Sequence, residues 1–205
     1  QADAIALARL LIKRHSLSKY NDFPDASSKD APWGDKAVLV VDQTRGDMSV
    51  ELGMAGPQTF GAMLQAALAE NPDCTVVVKT HPEVLQGRKQ GYLSELESSG
   101  RVVVLRDKVN PHSLLQQMRR VYVVTSHLGF EALLAGKPVS CFGMPWYAGW
   151  GATDDRQSCA RRSARRNTED LFAAAYFHYT RYLNPDTHAA GTIFDAIKWL
   201  ARQRR

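Results

Sequence analysis

Several features that would define a protein class are absent from this 205-residue sequence. It contains no run of 18 consecutive apolar residues, which argues against a transmembrane helix, and it contains no internal repeat. Asp3 and Arg9 interrupt the stretch where a signal peptide would have its apolar core, and the sequence begins without Met. The first 15 residues are instead typical of a helix interior, so we expect this chain to be a piece of a longer protein.

Cysteine is scarce: Cys74, Cys141 and Cys159 show no CxxC spacing and have no matching histidines. This pattern argues against a zinc site. Cys74 and Cys141 lie in apolar, strand-like runs and are predicted to be small core residues in a reducing compartment. No cluster of ligand-type residues requires a metal, and no cofactor is expected.

Two common nucleotide-binding motifs are missing as well. GxxxxGK[ST] occurs nowhere, and no GxGxxG follows the first predicted strand, so P-loop and nicotinamide chemistry are disfavoured. Much of the net charge of +5 is gathered in residues 156–166 and 202–205. A solvated basic face is the simplest interpretation, and a surface for an anionic lipid or glycolipid is the second. Nucleic acid binding is disfavoured because no recognition motif accompanies the charge.

What the sequence does contain is an alternation of strand-like and helix-like segments. The strand-like runs are continuously apolar, as strands buried on both faces are, and the segments between them have helical periodicity. This predicts an α/β fold, a doubly wound and mostly parallel Rossmann-like sheet with C-terminal helices. The predicted strands are 38–43, 75–80, 102–107, 121–126 and 138–143, and the predicted helices are 1–15, 58–70, 91–99, 111–120, 128–136, 168–183 and 186–203.

The strands end on polar residues, whereas their interiors are almost free of them. The carboxyl ends of parallel strands share one edge of the sheet, which α/β folds use for ligands. We therefore expect the polar ends to form a site. They are Gln43–Asp47, Lys79–His81, Arg106–Asp107, Thr125–His127 and Gly143–Tyr147.

Structural interpretations of single residues remain open beside this one. His81 precedes a proline and could cap a turn, and Lys79 could extend to the surface. Ser126 could cap the helix that follows it, yet the start of that helix would also offer N–H groups to an anion. Gly129 would then permit the close approach of a phosphate, and Glu131 could reach a ribose hydroxyl.

An aromatic loop follows the last predicted strand and contains Trp146, Tyr147 and Trp150. Core packing is one interpretation of these rings. The glycines around them favour the other, a loop shaped around a ligand or an interdomain cleft.

Four segments together resemble a known family. "SHLGFEALLAGKPVSCFGMPWYAGWGATDD" (126–155) has the S-x-x-G-x-E-A-L-x-x-G-K-P-V pattern of the nucleotide-sugar domain of GT-B glycosyltransferases. With "SKYND" (18–22), "DQTRGDMSVELG" (42–53) and "KTHPE" (79–83), it resembles KpsC-type capsule polysaccharide synthesis proteins. These are retaining β-Kdo transferases, where Kdo is 3-deoxy-D-manno-octulosonic acid. The resemblance covers roughly residues 16–155.

The resemblance implies a CMP-β-Kdo donor, retention of configuration, and a lipid-linked, phosphatidylglycerol-type poly-Kdo acceptor. Its D-Q-x-x-x-D pattern places the nucleophile at Asp47, and its H-P motif places His81 at the nucleotide, where the histidine is also a candidate general acid. Catalytic roles are thus expected for Asp47 and His81. Donor-binding roles are expected for Gln43, Arg45, Lys79, His81, Ser126, His127, Gly129 and Glu131.

The resemblance also implies that residues 1–36 are a helix and linker from a preceding domain. Residues 37–205 would be the CMP-sugar-binding half, inactive without the acceptor half. The expected location is cytoplasmic, and peripheral contact with the inner membrane and with capsule assembly or export proteins is left open. Two alternatives remain: a GT-B enzyme with another donor, such as CMP-sialic acid or a UDP-sugar, and a non-catalytic polysaccharide- or lipid-binding module.

Overall fold

The computed structural model describes residues 1–26 and 31–203. Residues 27–30 of the predicted linker and residues 204–205 of the basic terminus lie outside these ranges. Six strands form one sheet: β1 (Ala37–Val41), β2 (Thr75–Lys79), β3 (Val102–Leu105), β4 (Val121–Val123), β5 (Val139–Cys141) and β6 (Asp154–Asp155). Their order is β3-β2-β1-β4-β5-β6, and every neighbouring pair is parallel. The predicted Rossmann-like α/β fold is confirmed.

Strand β1 shows why the apolar runs are continuous. Successive side chains of a strand point to opposite faces of the sheet. Leu39 and Val41 belong to one hydrophobic cluster, and Val38 and Val40 belong to a second cluster on the other face. Both faces are covered, so neither set of positions can be polar.

Helices cover the two faces of the sheet. They are α1 (Ala2–Arg14), α2 (Met48–Leu52), α3 (Pro57–Glu70), α4 (Pro82–Leu85), α5 (Pro111–Gln116), α6 (Leu128–Leu134), α7 (Thr168–Phe172) and α8 (Ile193–Gln203). The short α2 and α4 directly follow the polar ends of β1 and β2, and sequence periodicity did not predict them. No helix within the described residues is long and apolar enough to cross a membrane.

The helix predicted at 91–99 is wrong. Gly91 pairs with Thr44 in an antiparallel bridge, and the backbone N–H groups of Tyr92 and Leu93 donate to the Asp42 carboxylate at 3.1 and 3.2 Å. These N–H groups are held by a residue distant in sequence, and a local helix does not form there.

The last forty residues also differ from the prediction. Helix α7 continues as a π-helix over Ala173–Tyr179, and the predicted helix 186–203 begins only at Ile193. Between them, β7 (Tyr182–Leu183) and β8 (Ala190–Gly191) pair in an antiparallel hairpin. The side-chain oxygen of Asn184 accepts hydrogen bonds from Asp186 and Thr187 N–H and so stabilises the turn that replaces the helix.

Helix α1 packs onto the same core as the sheet. Its buried Ile5 and Ala8 belong to the cluster that contains Leu39 and Ile197, and Ile197 is a buried residue of α8. The assignment of residues 1–36 to a preceding domain stays a prediction. Cys74 and Cys141 are buried, as predicted for core residues.

The basic segment 156–166 is partly structural. Arg156 pairs with Glu70 at 2.7 Å and with Asp154 at 2.9 Å. Arg162 donates hydrogen bonds to the carbonyl oxygens of Pro145 and Ala148 and thereby fixes the aromatic loop. Only part of the positive charge therefore remains for an external partner.

Candidate active site

Three of the five polar strand ends, Gln43–Asp47, Lys79–His81 and Thr125–His127, meet around a cavity at the carboxyl edge of the sheet, whereas Arg106–Asp107 and Gly143–Tyr147 do not line it. The strand order reverses between β1 and β4, because β2 and β3 lie on one side of this pair and β5 and β6 on the other. A cavity of about 280 Å³ opens here, where doubly wound sheets bind ligands. Seven of the residues with a predicted catalytic or donor-binding role line it: Gln43, Asp47, Lys79, His81, Ser126, His127 and Glu131.

Asp47 lies at the end of a turn after β1, and Gly46 makes that turn with φ +79°. Asp47 Oδ1 accepts a hydrogen bond from Ser49 N–H at 2.9 Å and caps α2, while Oδ2 accepts one from Gln43 Nε2 at 3.1 Å. Partial burial opposes ionisation, but the hydrogen bonds from Ser49 and Gln43 outweigh it and lower the pKa of Asp47. The carboxylate is therefore ionised at neutral pH.

Gln43 is buried and connects Asp47 to the end of β4. Its Oε1 accepts from Thr125 N–H at 2.9 Å, and its Nε2 donates to Thr125 Oγ1 at 3.0 Å as well as to Asp47. A backbone N–H can only donate, so the orientation of the amide is determined and its NH₂ group must face the carboxylate. Gln43 thus holds the carboxylate at the switch point of the sheet.

Lys79 ends β2 and is only 4% exposed. Its ammonium has no hydrogen-bond partner within residues 1–26 and 31–203. Desolvation outweighs the attraction of Asp107 and lowers the pKa of Lys79 from 10.5 to about 8. The group is still charged at neutral pH, and a buried charge without a partner costs free energy. An anion in the cavity would supply the missing partner.

His81 caps α4, since its Nδ1 accepts a hydrogen bond from Glu83 N–H at 3.2 Å. In the neutral ring this leaves the proton on Nε2. Desolvation lowers the pKa of His81; Lys19 and Lys79 act in the same direction, and Glu83 and Asp47 oppose them. A neutral imidazole with a free Nε2–H can donate a hydrogen bond to a ligand.

Ser126 and His127 form the opposite wall of the cavity. The predicted N-cap role of Ser126 is wrong, because the N-cap residue of α6 is His127. Ser126 lies one residue earlier, and its Oγ accepts a hydrogen bond from Leu128 N–H at 3.3 Å. The exposed His127 ring lies 6.3 Å from the Trp146 ring, and its Nε2 is 3.3 Å from the Tyr176 hydroxyl. Both residues close the cavity on the side of α6.

Glu131 fixes the segment of Ser18 and Lys19, which lines the cavity. Its carboxylate accepts hydrogen bonds from Ser18 Oγ at 2.7 Å and from Lys19 N–H at 3.5 Å. Burial raises the pKa of Glu131, although the bonds from Ser18 and Lys19 oppose this change. The predicted ribose contact stays a prediction, and the Ser18 hydroxyl takes the bond that a ribose hydroxyl would make.

Two predicted donor-binding residues lie outside the cavity lining. Arg45 Nε donates to the Gly91 carbonyl at 3.2 Å, and its guanidinium lies over the Tyr92 ring at 5.4 Å. Gly129 is required by packing, because a Cβ atom at this position would collide with the hydroxyl of Tyr147. The space beside Gly129 is therefore occupied by the side chain of the core residue Tyr147.

The aromatic loop does not reach the cavity. Tyr147 is fully buried, and its hydroxyl donates to the Ser126 carbonyl. Trp150 donates from its Nε1 to the Trp146 carbonyl at 2.9 Å, and the Arg162 guanidinium lies over its ring at 5.6 Å. Trp146 is 38% exposed. The loop supports the wall of the site from behind.

The cavity also contains polar residues that sequence reasoning did not assign to it: Ser18, Lys19, Asp42 and Ser49. Ser18 and Lys19 belong to the "SKYND" segment. This segment contributed to the family resemblance, but it was interpreted as part of a linker. Asp42 Oδ1 accepts from three backbone N–H groups, whereas its Oδ2 has no partner among the described residues. Burial raises the pKa of Asp42 to about 6 despite those bonds.

Within the described part of the chain, no group of three or more His, Cys, Asp or Glu side chains could hold a metal ion. The charged groups that line the cavity are instead two lysines, Lys19 and Lys79, and the acidic residues Asp42, Asp47 and Glu131. The arrangement can bind an anion next to an ionised carboxylate.

Comparison with known sequences identifies a family and similar proteins. The family of capsule polysaccharide biosynthesis proteins matches residues 3–183. Capsule polysaccharide modification protein LipA of Neisseria meningitidis is 51% identical over 203 residues, which cover 95% of this chain and 29% of LipA. The lipopolysaccharide-processing protein LpsZ of Rhizobium meliloti is 37% identical over 195 residues, which cover 95% of this chain and 44% of LpsZ.

Two solved structures from Thermosulfurimonas dismutans share the fold. The KpsC β-Kdo 2,4 transferase superposes with a TM-score of 0.93 at 48% identity, over 98% of this chain and 62% of that chain. The KpsC β-Kdo 2,7 transferase superposes with a TM-score of 0.73 at 25% identity, over 100% of this chain and 62% of that chain. The chain thus spans under two thirds of these structures and less than a third of LipA. Since the family match covers most of its residues, the chain belongs to the capsule polysaccharide biosynthesis protein family.

Proposed function

We propose that this chain is the donor-binding half of a glycosyltransferase that transfers Kdo from CMP-β-Kdo to a lipid-linked poly-Kdo acceptor with retention of configuration. One observation carries the proposal: a single cavity at the switch point is lined by an ionised carboxylate, a neutral imidazole and a buried ammonium without a partner. These groups belong to Asp47, His81 and Lys79. Similarity to two Kdo transferases supports the choice of sugar.

The donor phosphate would bind between Lys79 and His81. The Lys79 ammonium would pair with a phosphate oxygen, and His81 would donate a hydrogen bond from Nε2. Both interactions strengthen as charge develops on the departing phosphate, and the buried setting of Lys79 makes them stronger than they would be in water.

The transfer would occur in two displacements. In the first, a carboxylate oxygen of Asp47 bonds to the anomeric carbon, the bond from that carbon to the phosphate oxygen breaks, and CMP leaves with the electron pair. In the second, the acceptor hydroxyl oxygen bonds to the same carbon and the ester bond to Asp47 breaks. The hydroxyl proton passes to the departed phosphate, and the carboxylate is restored. Two inversions give net retention.

The comparisons also support a linkage for this module. Identity is 48% with the 2,4 transferase and 25% with the 2,7 transferase, so we propose the 2,4 linkage. Analysis of the product linkage by NMR tests this assignment, and a 2,7-linked product would contradict it.

Because the proposed acceptor is linked to a lipid, the transfer reaction would take place beside a membrane. We propose that the protein acts at the cytoplasmic face of the inner membrane. Arg161 and Arg165 support contact with anionic lipid, because both are exposed and neither forms an ion pair with a described residue. Flotation with anionic and neutral vesicles tests the contact. Equal binding to both vesicles would contradict it.

Titration of the full-length enzyme with CMP and with UMP tests the donor class. We expect CMP to bind and UMP to bind much more weakly. The reverse order would favour a UDP-sugar donor. CMP binding without Kdo transfer from CMP-Kdo would favour CMP-sialic acid as the donor, and no binding of either nucleotide would favour a non-catalytic module.

A further inference from the structure

Residues 90–94, which we call the brace, lie beside the turn that carries Asp47. An antiparallel bridge and two backbone hydrogen bonds join the brace to that turn. The bridge pairs Thr44 with Gly91, and the hydrogen bonds, of 2.7 and 3.2 Å, run from Arg45 N–H to the Gln90 carbonyl and from Tyr92 N–H to the Gln43 carbonyl. The turn is therefore linked through its backbone to a segment that is distant in sequence.

The side chain of Arg45 adds two contacts between the turn and the brace. Its Nε donates to the Gly91 carbonyl at 3.2 Å, and its guanidinium lies over the Tyr92 ring at 5.4 Å. The Tyr92 ring stacks on the Phe60 ring at 4.1 Å, with an angle of 8° between their planes. Phe60 is fully buried in the core, and protein cores are closely packed. The brace thus connects the turn to a rigid part of the protein.

Asp42 holds the brace from the end of β1. Its Oδ1 accepts hydrogen bonds from the N–H groups of Tyr92 and Leu93 at 3.1 and 3.2 Å, and from the N–H group of Gln43 at 2.9 Å. Gly91 lies directly against Oδ2, because a Cβ atom at position 91 would collide with this oxygen. One buried carboxylate therefore fixes both the brace and the first residue of the turn.

The turn itself contains little that could keep Asp47 in place. Arg45 and Gly46 are exposed, and Gly46 has the left-handed φ of +79°, which glycine adopts without strain but also leaves readily. Neither Arg45 nor Asp42 has a free group directed at the donor. Arg45 does not line the cavity, and the two oxygens of Asp42 are occupied by N–H groups or buried against the brace. Both side chains therefore act on the turn.

We propose that the brace, held by Asp42 and Arg45, positions Asp47 for its attack on the anomeric carbon, and that Arg45 is a positioning residue and not a donor ligand. This rests on the proposed function, in which Asp47 is the nucleophile. An attacking oxygen has to lie about 3 Å from the carbon, and a displacement of about 1 Å can cost a factor of about a hundred in rate. The brace thus raises the rate of the first displacement without touching the donor.

The experiment uses the full-length enzyme and the variants Arg45→Met, Asp42→Ala and Asp42→Asn. The matched control is Arg101→Met, because Arg101 is also exposed and donates to backbone carbonyl groups, but away from the cavity. For each protein we would measure kcat with saturating CMP-Kdo, the affinity for CMP, and the stability in urea. Hydrogen exchange followed by mass spectrometry would report the opening of residues 43–50.

We expect Arg45→Met and Asp42→Ala to lower kcat about tenfold or more and to speed the exchange of residues 43–50, with no change in CMP affinity. Asp42→Asn keeps an oxygen for the N–H groups of the brace and should recover most of the lost rate. Arg101→Met should change stability alone. If Asp42→Ala does not fold, Arg45→Met decides the question.

Three results would overturn the proposal: an unchanged kcat in Arg45→Met, unchanged exchange of residues 43–50, or weaker CMP binding by Arg45→Met, which would make Arg45 a donor ligand. An Asp42→Asn protein as slow as Asp42→Ala would also contradict it, because the charge of Asp42 and not its hydrogen bonds would then matter. If wild type transfers no Kdo from CMP-Kdo, the proposed function fails, and the exchange of residues 43–50 alone decides whether the brace holds the turn.

Discussion

Replacement of Lys79 by Met should stabilise the ligand-free protein and weaken its binding of CMP. The wild-type ammonium is buried without a hydrogen-bond partner among the described residues, and its pKa falls from 10.5 to about 8. At about 1.4 kcal/mol per pKa unit, this corresponds to a cost of folding of about 3 kcal/mol. Met has a similar length and no charge, so Lys79→Met should raise the free energy of unfolding by up to that amount.

The pH dependence of this gain has a definite sign. Below pH 8 the lysine is protonated in both the folded and the unfolded chain, and the full cost is present. Between pH 8 and 10.5 the folded chain loses the proton first, so the cost fades. The difference in stability between Lys79→Met and wild type should therefore be largest at neutral pH and vanish above about pH 10.5.

Urea unfolding at several pH values and CMP titration check the two effects together. Loss of a charge-assisted hydrogen bond to phosphate should weaken CMP binding about 10- to 100-fold. The exposed Lys36→Met is the matched control and should leave stability within about 0.5 kcal/mol of wild type. A Lys79→Met protein that is less stable than wild type, or that binds CMP with unchanged affinity, would refute the assignment of Lys79 as the anion-binding group.

Three further predictions concern the supports of the site. Gln43→Leu removes a hydrogen bond that lowers the pKa of Asp47, so the acid limb of the pH profile of kcat/KM should move to higher pH and kcat should fall about tenfold or more. An unchanged pH profile would exclude a role of Gln43 in positioning Asp47. Gly129→Ala should cost about 1–3 kcal/mol by collision with Tyr147, and urea unfolding should show partial recovery on adding Tyr147→Phe; strict additivity would contradict the collision. Arg162→Met should lower stability by about 1–3 kcal/mol, because the carbonyl groups of Pro145 and Ala148 lose their hydrogen-bond donor. An unchanged midpoint of urea unfolding would show that these two hydrogen bonds do not stabilise the protein.

The sheet could be predicted from sequence because burial on both faces leaves an unbroken apolar signal. The predicted first strand, 38–43, extends beyond the observed Ala37–Val41. The two extra residues, Asp42 and Gln43, line the cavity. The two-residue β6 was missed because Asp154 and Asp155 carry no apolar signal.

Tertiary hydrogen bonds explain the main failure in secondary structure. Residues 91–99 have a helical pattern, but Asp42 accepts the N–H groups of Tyr92 and Leu93. No local rule relates a carboxylate to N–H groups some fifty residues away. The same limit applies to Asn184, whose side chain stabilises a turn inside a segment with helical periodicity.

The location of the site was predictable, but the partners within it were not. The carboxyl edge of a parallel sheet collects strand ends by geometry alone, which brings Gln43, Lys79 and Ser126 together. The bond from Ser18 to Glu131 joins residues 113 positions apart and depends on how the first segment crosses the edge. The same is true of the missing partner of Lys79, which only a packed structure reveals.

Mass spectrometry of the full-length enzyme incubated with CMP-Kdo and no acceptor tests the central claim most directly. If Asp47 is the nucleophile, the peptide that contains it should carry one Kdo residue as an ester, and the Asp47→Asn protein should carry none while it still binds CMP. An adduct on another carboxylate, such as Asp42, would contradict the account. Undiminished transfer with retention by Asp47→Asn would contradict it equally.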